Sequence, residues 1–356
     1  MKNIAVVFGG ASVEHDVSII TGVKICKLFR RNFNIFPIYW GLDNKFYYLK
    51  NINFSYYNDK EKLMHLGKIT EFVRGGIYSR NKTKLKFCAN IDKVINCCHG
   101  GAGENGELSA FLKLNEITCN SGIKSSAVCN NKFIIKQIAK SLNVKTVNSV
   151  IINSNNIEEK LKHVKEFFSN DVIVKPNSLG SSIGILKTNL DNLKEIVELI
   201  LHLDSQVIVE QYMENIEELR CAVIVHNNTL CYSQIEKIKT KNDIYSFEDK
   251  YFNINWEKEL PAKISEETKL LIYQTIKKMH EVLNFCGVVE FQFFYNAKDN
   301  DLYFNEINTV PKNLCVELFE GLGINSKMIG EYLTEFDKGI KKQTYFYTDI
   351  LHKIDL

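Results

Sequence analysis

The stretch VVEFQFFYNAKDNDLYFNEINTVP, Val288 to Pro311, constrains this chain more than any other. Two short apolar-aromatic strands flank a turn rich in Asn and Asp, which is the pattern of a β-hairpin. Successive strand side chains alternate faces, so Glu306 and Asn308 point the same way, and Glu290 and Gln292 share a face of the partner strand. A carboxylate and amide oxygens converging on one sheet face make a hard-cation site, of the sort that holds Mg²⁺ against nucleotide phosphates. A solvated polar face on a two-stranded ribbon is the plainer alternative.

With 356 residues the chain has room for two or three domains. Hydrophobic content of 45% and charged content of 24% are those of a globular protein. Forty-five basic and 42 acidic residues leave a formal net charge of +3, with no basic block that would suggest nucleic acid. The ten cysteines have no metal-type spacing, so free thiols in a reducing cytoplasm are expected. The apolar run Ile4 to Phe8 leads straight into Gly9-Gly10 and reads as a strand, not a signal peptide. No stretch approaches the roughly 20 apolar residues of a membrane span, so no membrane partner is expected.

The first third reads as α/β. Ile4 to Phe8 is a buried strand, followed by Val17, Ile20, Val23 and Cys26 at helical spacing. Phe33 to Trp40 and Lys93 to Cys98 are further strands, the latter leading into HGGAGENG, His99 to Gly106. Strands that end in Gly-rich loops ahead of helices predict a mostly parallel sheet with binding at its carboxyl ends. A second region starts near Gly122, with a helix over Asn131 to Leu142 and strands at Val147 to Ile152 and Val172 to Lys175. A third starts near Val207; there Ile272, Ile276, Met279 and Leu283 form a helix stripe with Ser265 as its N-cap.

Three further segments carry candidate chemistry. In VKPNSLGSSIGI, Val174 to Ile185, the loop around Gly180, Ser181, Ser182 and Gly184 can bring backbone N–H groups close to phosphate oxygens, and Lys175 can add a point charge. The segment is not a P-loop, because its lysine precedes the glycines; a plain hairpin tip is the alternative. Lys132 sits at a helix start, where the dipole disfavours a cation, so it is a candidate to neutralise something else, such as a phosphate, or a plain solvated lysine. In GGASVEHDVS, Glu14 could hold an ammonium group with His15 hydrogen-bonded to its carboxylate, or Glu14 could cap the helix.

GGASVEHDVS, HGGAGENGELSAFL, SAVCNNK, KPNSLGSSIGI, FEDKY and FNEINTVP follow one another in the order and approximate spacing of the D-alanine–D-alanine ligases. Over almost the whole chain, from Lys2 to about Leu333, the sequence resembles that family, as a divergent member. The resemblance implies an α/β fold, α+β overall, of ATP-grasp architecture with an N-terminal parallel-sheet (Rossmann-like) domain. The implied domains are an N-terminal substrate domain over 1–121, a central ATP-grasp subdomain over 122–206, and a C-terminal ATP-grasp subdomain with the metal-binding hairpin over 207–356. It also implies a cytoplasmic enzyme of peptidoglycan biosynthesis, usually dimeric. Such an enzyme uses ATP and Mg²⁺ (or Mn²⁺) to convert one D-alanine carboxylate into an acyl phosphate, which the amine of a second D-alanine attacks.

By motif position, Lys132 and Lys175 would hold ATP phosphates, with Ser181 and Ser182 closing over them. Glu210, Tyr212 and Met213 would line the adenine pocket, and Glu217 or Glu218 would take the ribose. Glu14 would hold the first substrate's ammonium with support from His15, and Lys250 and Tyr251 would lie on a closing loop. The metal would sit on Gln292, Glu306 and Asn308. Closure fits an intermediate that water destroys, and positioning with charge neutralisation replaces a side-chain nucleophile.

The acceptor corner departs from the family pattern. Its usual metal-binding Asp is Gln292, and its usual oxyanion-stabilising Arg is Glu290. The usual Gly facing the oxyanion is Lys312, and the Ser that helps bind the second carboxylate is Glu317. Asn131 and Asn105 stand where Asp is frequent. One reading is a charge swap, with Lys312 supplying the missing cation and Glu290 or Glu317 meeting an acceptor amine. The expected function is an ATP-dependent carboxylate–amine ligase acting on small amino acids. The alternatives are a tailoring ligase with another acceptor amine and a nucleotide-binding homologue without catalysis.

Overall fold

The computed structural model describes residues 1–50, 57, 59–168, 171–226, 229–240 and 256–335. Every described strand belongs to one of three sheets. In the first, β1 (Asn3–Gly9) is apolar and buried from Ile4 to Phe8, as a strand covered on both faces must be. It pairs in parallel with β2 (Asn34–Trp40). From β2 the sheet continues antiparallel through β3 (Phe46–Tyr48), β4 (Lys68–Val73), β5 (Gly76–Asn81) and β6 (Lys84–Asn90). β7 (Lys93–Asn96) pairs in parallel with the other side of β1. The sequence pattern predicts a mostly parallel sheet; three strands are parallel and four extend them antiparallel. The reason is connection length: Arg74-Gly75 alone separates β4 from β5, whereas a parallel crossover needs about a dozen residues or more. The helices here are α1 (His15–Phe29), α2 (Lys60–Leu66), α3 (Gly101–Glu104) and α4 (Glu107–Leu114). α1 covers one face through Ile19, Val23 and Phe29, and α4 the other through Leu108 and Leu112.

After α5 (Ile123–Cys129) and α6 (Lys132–Ser141) come β8 (Ser149–Asn153), α7 (Ile157–Phe167), β9 (Val172–Pro176), β10 (Leu186–Thr188), α8 (Leu193–Leu201) and β11 (Gln206–Gln211). Their strands form an antiparallel sheet in the order β10-β9-β11-β8, covered by Leu161, Val164, Leu193 and Val197 of the two helices. β11 pairs with β8 and β9, so the break between the second and third sheets follows Gln211, a few residues beyond the 206/207 boundary expected above.

The third sheet holds β12 (Glu217–His226), β13 (Thr229–Thr240), β14 (Trp256–Glu259), β15 (Val288–Asn296) and β16 (Asp301–Asn308), in the order β14-β13-β12-β15-β16. β15 and β16 are the expected hairpin. α9 (Glu266–Leu283) precedes it and starts as predicted at Ser265, whose hydroxyl accepts the Thr268 N–H at 3.0 Å. Alternation divides the sheet cleanly. Val289, Phe291, Phe293 and Tyr295 of β15 and Leu219, Cys221 and Val223 of β12 pack against Ile272, Ile276 and Met279 of α9. Arg220, Glu290 and Gln292 occupy the intervening positions. On β16 the phase changes. Phe293 pairs with Phe304 but Gln292 pairs with Glu306, so Asn305 is an extra residue, a β-bulge. Phe304 therefore joins the core, and Glu306 and Asn308 share the face of Glu290 and Gln292.

A 3₁₀ turn, Lys312–Cys315, leads to α10 (Val316–Glu320) and α11 (Ser326–Glu335). Leu314, Phe319, Ile329 and Leu333 pack in one cluster with Phe8, Val23 and Phe29, together with Ala222, Ile224 and Val288 of the third sheet. The first and third sheets thus share a core. They also touch directly at Gly287, whose φ is +73° and whose added Cβ would lie 2.0 Å from the Asn120 carbonyl oxygen. A left-handed backbone costs a side-chain-bearing residue about 1–2 kcal/mol before any clash. Gly287→Ala is therefore expected to destabilise the protein by about 2 kcal/mol or more, read as a lower urea midpoint with an unchanged slope.

Candidate active site

A cavity of about 320 Å³ opens where the three sheets meet. Glu14, from the loop after β1, and Ser181, from the loop after β9, face it together with Lys132, Glu306, Asn308 and Lys312. The Ser181 hydroxyl donates to a Glu14 carboxylate oxygen. Glycines leave room for that carboxylate: a Cβ on either Gly100 or Gly180 would come within 2.8 Å of Glu14 Oε2, so the Glu14 side chain would have to shift. Glu14 stands at the N-cap position of α1, yet its side chain makes no capping bond. The carboxylate is turned into the site, where an ammonium group would meet it.

His15 does not support Glu14 as expected. Its Nδ1 donates to the Gly10 carbonyl at 2.6 Å, and its Nε2 lies 3.1 Å from the Tyr39 hydroxyl. One ring nitrogen thus ties His15, the first residue of α1, to the β1–α1 loop, and the other ties it to β2. His15 shapes the backbone that presents Glu14.

Lys132 opens α6, and its neighbours explain its awkward place. The helix N-terminus is satisfied by Asn131 Oδ1, which takes the Ile134 N–H, and by Asn177 Oδ1, which takes the Phe133 N–H, both at 2.9 Å. The Lys132 ammonium is drawn away into the cavity, donating to the Leu179 carbonyl at 2.7 Å and pairing with Glu306 at 3.3 Å. Lys175 lies deeper. It pairs with Glu210 Oε2 at 2.8 Å, and Lys136 pairs with Glu210 Oε1 at 3.0 Å. Burial by itself would raise the Glu210 pKa, but the two lysines outweigh it and hold the group at about 2. Burial dominates at Lys136 and pulls it down to about 8. Glu210 is thus the anchor of a lysine pair, while Tyr212 and Met213 line a separate open cleft of about 760 Å³. Ser182, like Ser181, has a left-handed backbone, with φ near 58°. Glu218 borders the main cavity. Lys250 and Tyr251 lie outside the described residues.

The hairpin residues meet as their alternation requires. Glu290, 3% exposed, accepts from Gln292 Nε2 at 2.6 Å, Asn308 Nδ2 at 3.4 Å and the Cys315 thiol at 3.0 Å. Both amides thereby turn their nitrogens toward Glu290 and leave their oxygens as the acceptors on this face. With the Glu306 carboxylate, those two oxygens form an all-oxygen donor set that fits a hard divalent cation with a single protein charge. Among the described residues no group of three His, Cys, Asp or Glu forms a metal cage, so this set depends on its amides. None of the ten cysteines is in a disulfide.

Three residues of the site escaped the sequence reading. Lys136 falls inside the helix read over Asn131 to Leu142, Arg220 interrupts the apolar strand LRCAVIV, and Glu104 lies inside the Gly-rich loop HGGAGENG. Arg220 answers the charge reversal at Glu290. Its Nη1 lies 3.3 Å from Glu290, its Nε meets Glu236, and its Nη2 is 3.5 Å from Glu317. Burial alone would raise the Glu290 pKa, but Arg220, first among its partners, keeps the group below the ordinary carboxylate range.

Glu104 is the opposite case. Burial, then the nearby Glu14 carboxylate, push its pKa up to about 8, although the Gly100 N–H donates to it at 2.9 Å. His99, at the same loop, is pushed down to about 4, chiefly by burial and then by Lys312. A carboxyl with a raised folded pKa binds more protons folded than unfolded, so its contribution to stability is complete below about 4.5 and is lost as pH rises through about 8. Glu104→Gln should therefore gain stability relative to the unsubstituted protein across that window, and match its slope below it, in urea titrations at stepped pH.

The comparisons agree with this geometry. The family described as D-ala D-ala ligase N-terminus matches residues 3–121, and D-ala D-ala ligase C-terminus matches residues 138–320. The D-alanine--D-alanine ligase of Thermosipho africanus is 32% identical over 341 residues, covering 92% of this chain and 91% of its own. That of Helicobacter acinonychis is 28% identical, covering 97% of this chain and 98% of its own. Among solved structures, D-alanine-D-alanine ligase from Helicobacter pylori superimposes with a TM-score of 0.78 at 24% identity, over 96% of this chain and 100% of that one. The VanG D-Ala:D-Ser ligase from Enterococcus faecalis gives a TM-score of 0.81 at 23% identity, over 94% and 99%; both likenesses bear on the fold. With its three sheets, its convergent cavity and matches to both halves of the family, the chain belongs to the D-alanine–D-alanine ligase family of ATP-dependent, ATP-grasp ligases.

Proposed function

We propose that this protein joins D-alanine to a second small amino acid, D-alanine first among the acceptors, at the expense of ATP. The observation that carries the reading is the convergence of Glu14, Ser181, Lys132, Glu306 and Asn308 on one cavity from three separate sheets. Glu14 holds the donor ammonium, with His15 positioning its loop. Lys132 and Lys175 take phosphate charge, and Glu210 and Lys136 orient Lys175. Ser181 and Ser182 cover the phosphates. Tyr212 and Met213 face the adenine from the outer cleft, with the ribose on Glu217 or Glu218, and Lys250 and Tyr251 complete the closing loop. Gln292, Glu306 and Asn308 hold Mg²⁺, or Mn²⁺, which when bound offsets phosphate charge. We assign the donor to the segment 1–121 and the nucleotide to 122–206 and 207–356. The setting is the cytoplasm, in peptidoglycan precursor synthesis, with a homodimer as the working assembly. No helix among the described residues is long and apolar enough to cross a membrane.

A second acceptor reading has its own observation. Glu317 borders the cavity with a third of its side chain accessible and its Oε2 without a hydrogen-bond partner. A carboxylate there disfavours an acceptor that presents its own carboxylate and suits one that presents an amine. ATP-dependent phosphate release across a panel of D- and L-amino acids separates the readings: release with D-alanine alone supports the first, and release only with a mixed pair supports the second. Release with no pair would overturn both. Lys312→Ala should lower kcat by about tenfold or more with little change in KM for ATP; unaltered turnover removes Lys312 from the chemistry.

A further inference from the structure

We propose that Arg220 is a catalytic residue of the ligation, delivering from β12 the positive charge that meets the donor carboxyl during its activation and the phosphate that later leaves it. The inference rests on the ligase reading above and adds a residue to it.

Cross-strand register is the first support. Glu236 of β13 pairs with Arg220, Arg220 with Gln292 of β15, and Gln292 with Glu306 of β16. The four form one row across four strands, so Arg220 stands one strand from the proposed cation ligands and on their face. The second support is access. Arg220 lines the same cavity as Glu14, Lys132, Ser181, Glu306 and Asn308, with 20% of its side chain open to it. The third is donor count. A guanidinium carries five N–H groups. Among the described residues Arg220 makes two side-chain hydrogen bonds, to Glu236 and Glu290, and its Nη2 stands 3.5 Å from Glu317. Its fork is held from three sides and still has N–H groups to give to an incoming oxyanion. A counter-ion serving Glu290 alone would need neither the opening nor the extra donors.

The chemistry uses such a group twice. A donor carboxylate oxygen attacks the γ-phosphorus of ATP and ADP departs, leaving an acyl phosphate. The acceptor nitrogen then attacks the acyl carbon. The C–N bond forms, and the C–O bond to phosphate breaks with its electron pair on the phosphate, which takes the amine proton. Negative charge builds on the acyl oxygen and the leaving phosphate, and a pre-positioned, permanently charged guanidinium stabilises both without reorganising.

The test compares Arg220→Gln and Arg220→Lys with the unsubstituted protein. Arg220→Gln should lose about 10²–10³ in kcat with KM for ATP changed by less than about threefold. Inorganic phosphate should bind its MgADP-loaded form at least about tenfold more weakly by calorimetry. If Arg220→Gln does not fold, Arg220→Lys decides, because it keeps the charge and loses the fork; a kcat lowered about tenfold or more at an unchanged melting temperature supports the role. Turnover within about twofold of the unsubstituted protein in either folded variant overturns it, as does equal phosphate affinity. A purely structural Arg220 would lower the melting temperature and leave kcat and phosphate affinity as they were. Absence of turnover in the unsubstituted protein would sink the ligase reading instead, and the phosphate comparison would still decide Arg220.

Discussion

Period-two alternation in the third sheet is the constraint on which the rest of this molecule depends. One face of β12, β15 and β16 must close an apolar core against α9, and the other must carry the polar groups that bind and react. Phe291 and Phe293 on one side and Glu290 and Gln292 on the other are two readings of one backbone. The core therefore fixes the site: a one-residue slip of register would send the aromatic rings into the cavity and the carboxylates into the core. The bulge at Asn305 reconciles β16 with that demand, and its side chain also accepts from the buried Lys136 at 3.4 Å. Through Lys136 the bulge connects to Glu210 and Lys175, so backbone geometry at the hairpin is tied to the phosphate-facing lysines of the second sheet.

Charge balance is the second organising principle. Glu210 and Glu290 are buried, the first between two lysines and the second beside Arg220. Breaking a buried pair by removing one partner costs about 3–5 kcal/mol, much of it the cost of the charge left behind. Glu104, with Glu14 as its neighbour, takes the other course and holds its proton up to about pH 8. The site thus contains carboxyl groups in two protonation states at neutral pH, set by whether a lysine or arginine pairs with the carboxylate directly or burial and a like charge prevail.

Much of this was legible in the amino-acid sequence, and the remainder follows a pattern. The hairpin, the Ser265 cap, the strand endings at glycine and the shared face of Glu306 and Asn308 are local, and local rules find them. The ordered motifs carried the family and its fold. What escaped depends on contacts between distant segments. The sequence shows a hairpin but not its bulge, because Phe304 and Glu306 are two apart and would share a face in a regular strand. Arg220 reads as an oddity until β12 is laid beside β15. His15 follows Glu14 directly, which suggested a bond between them, yet the turn into α1 sends their side chains apart. The antiparallel extension of the first sheet was hidden by short, mixed strands with no continuous apolar run.

The bulge has a consequence for how such a chain can change over time. Substitutions in β16 alter single side chains, and loss of one codon at Asn305 would leave Phe304 opposite Phe293 and Glu306 opposite Gln292, because Asn305 is the residue the partner strand does not match. What would go is the acceptor of the buried Lys136. Loss of Ile307 instead would carry Asn308 to the core side, opposite Phe291. The hairpin can exchange its amino acids one at a time, as Gln292 and Glu290 show, yet the bulge is the one place where this strand can shorten without turning its cavity-facing side chains away.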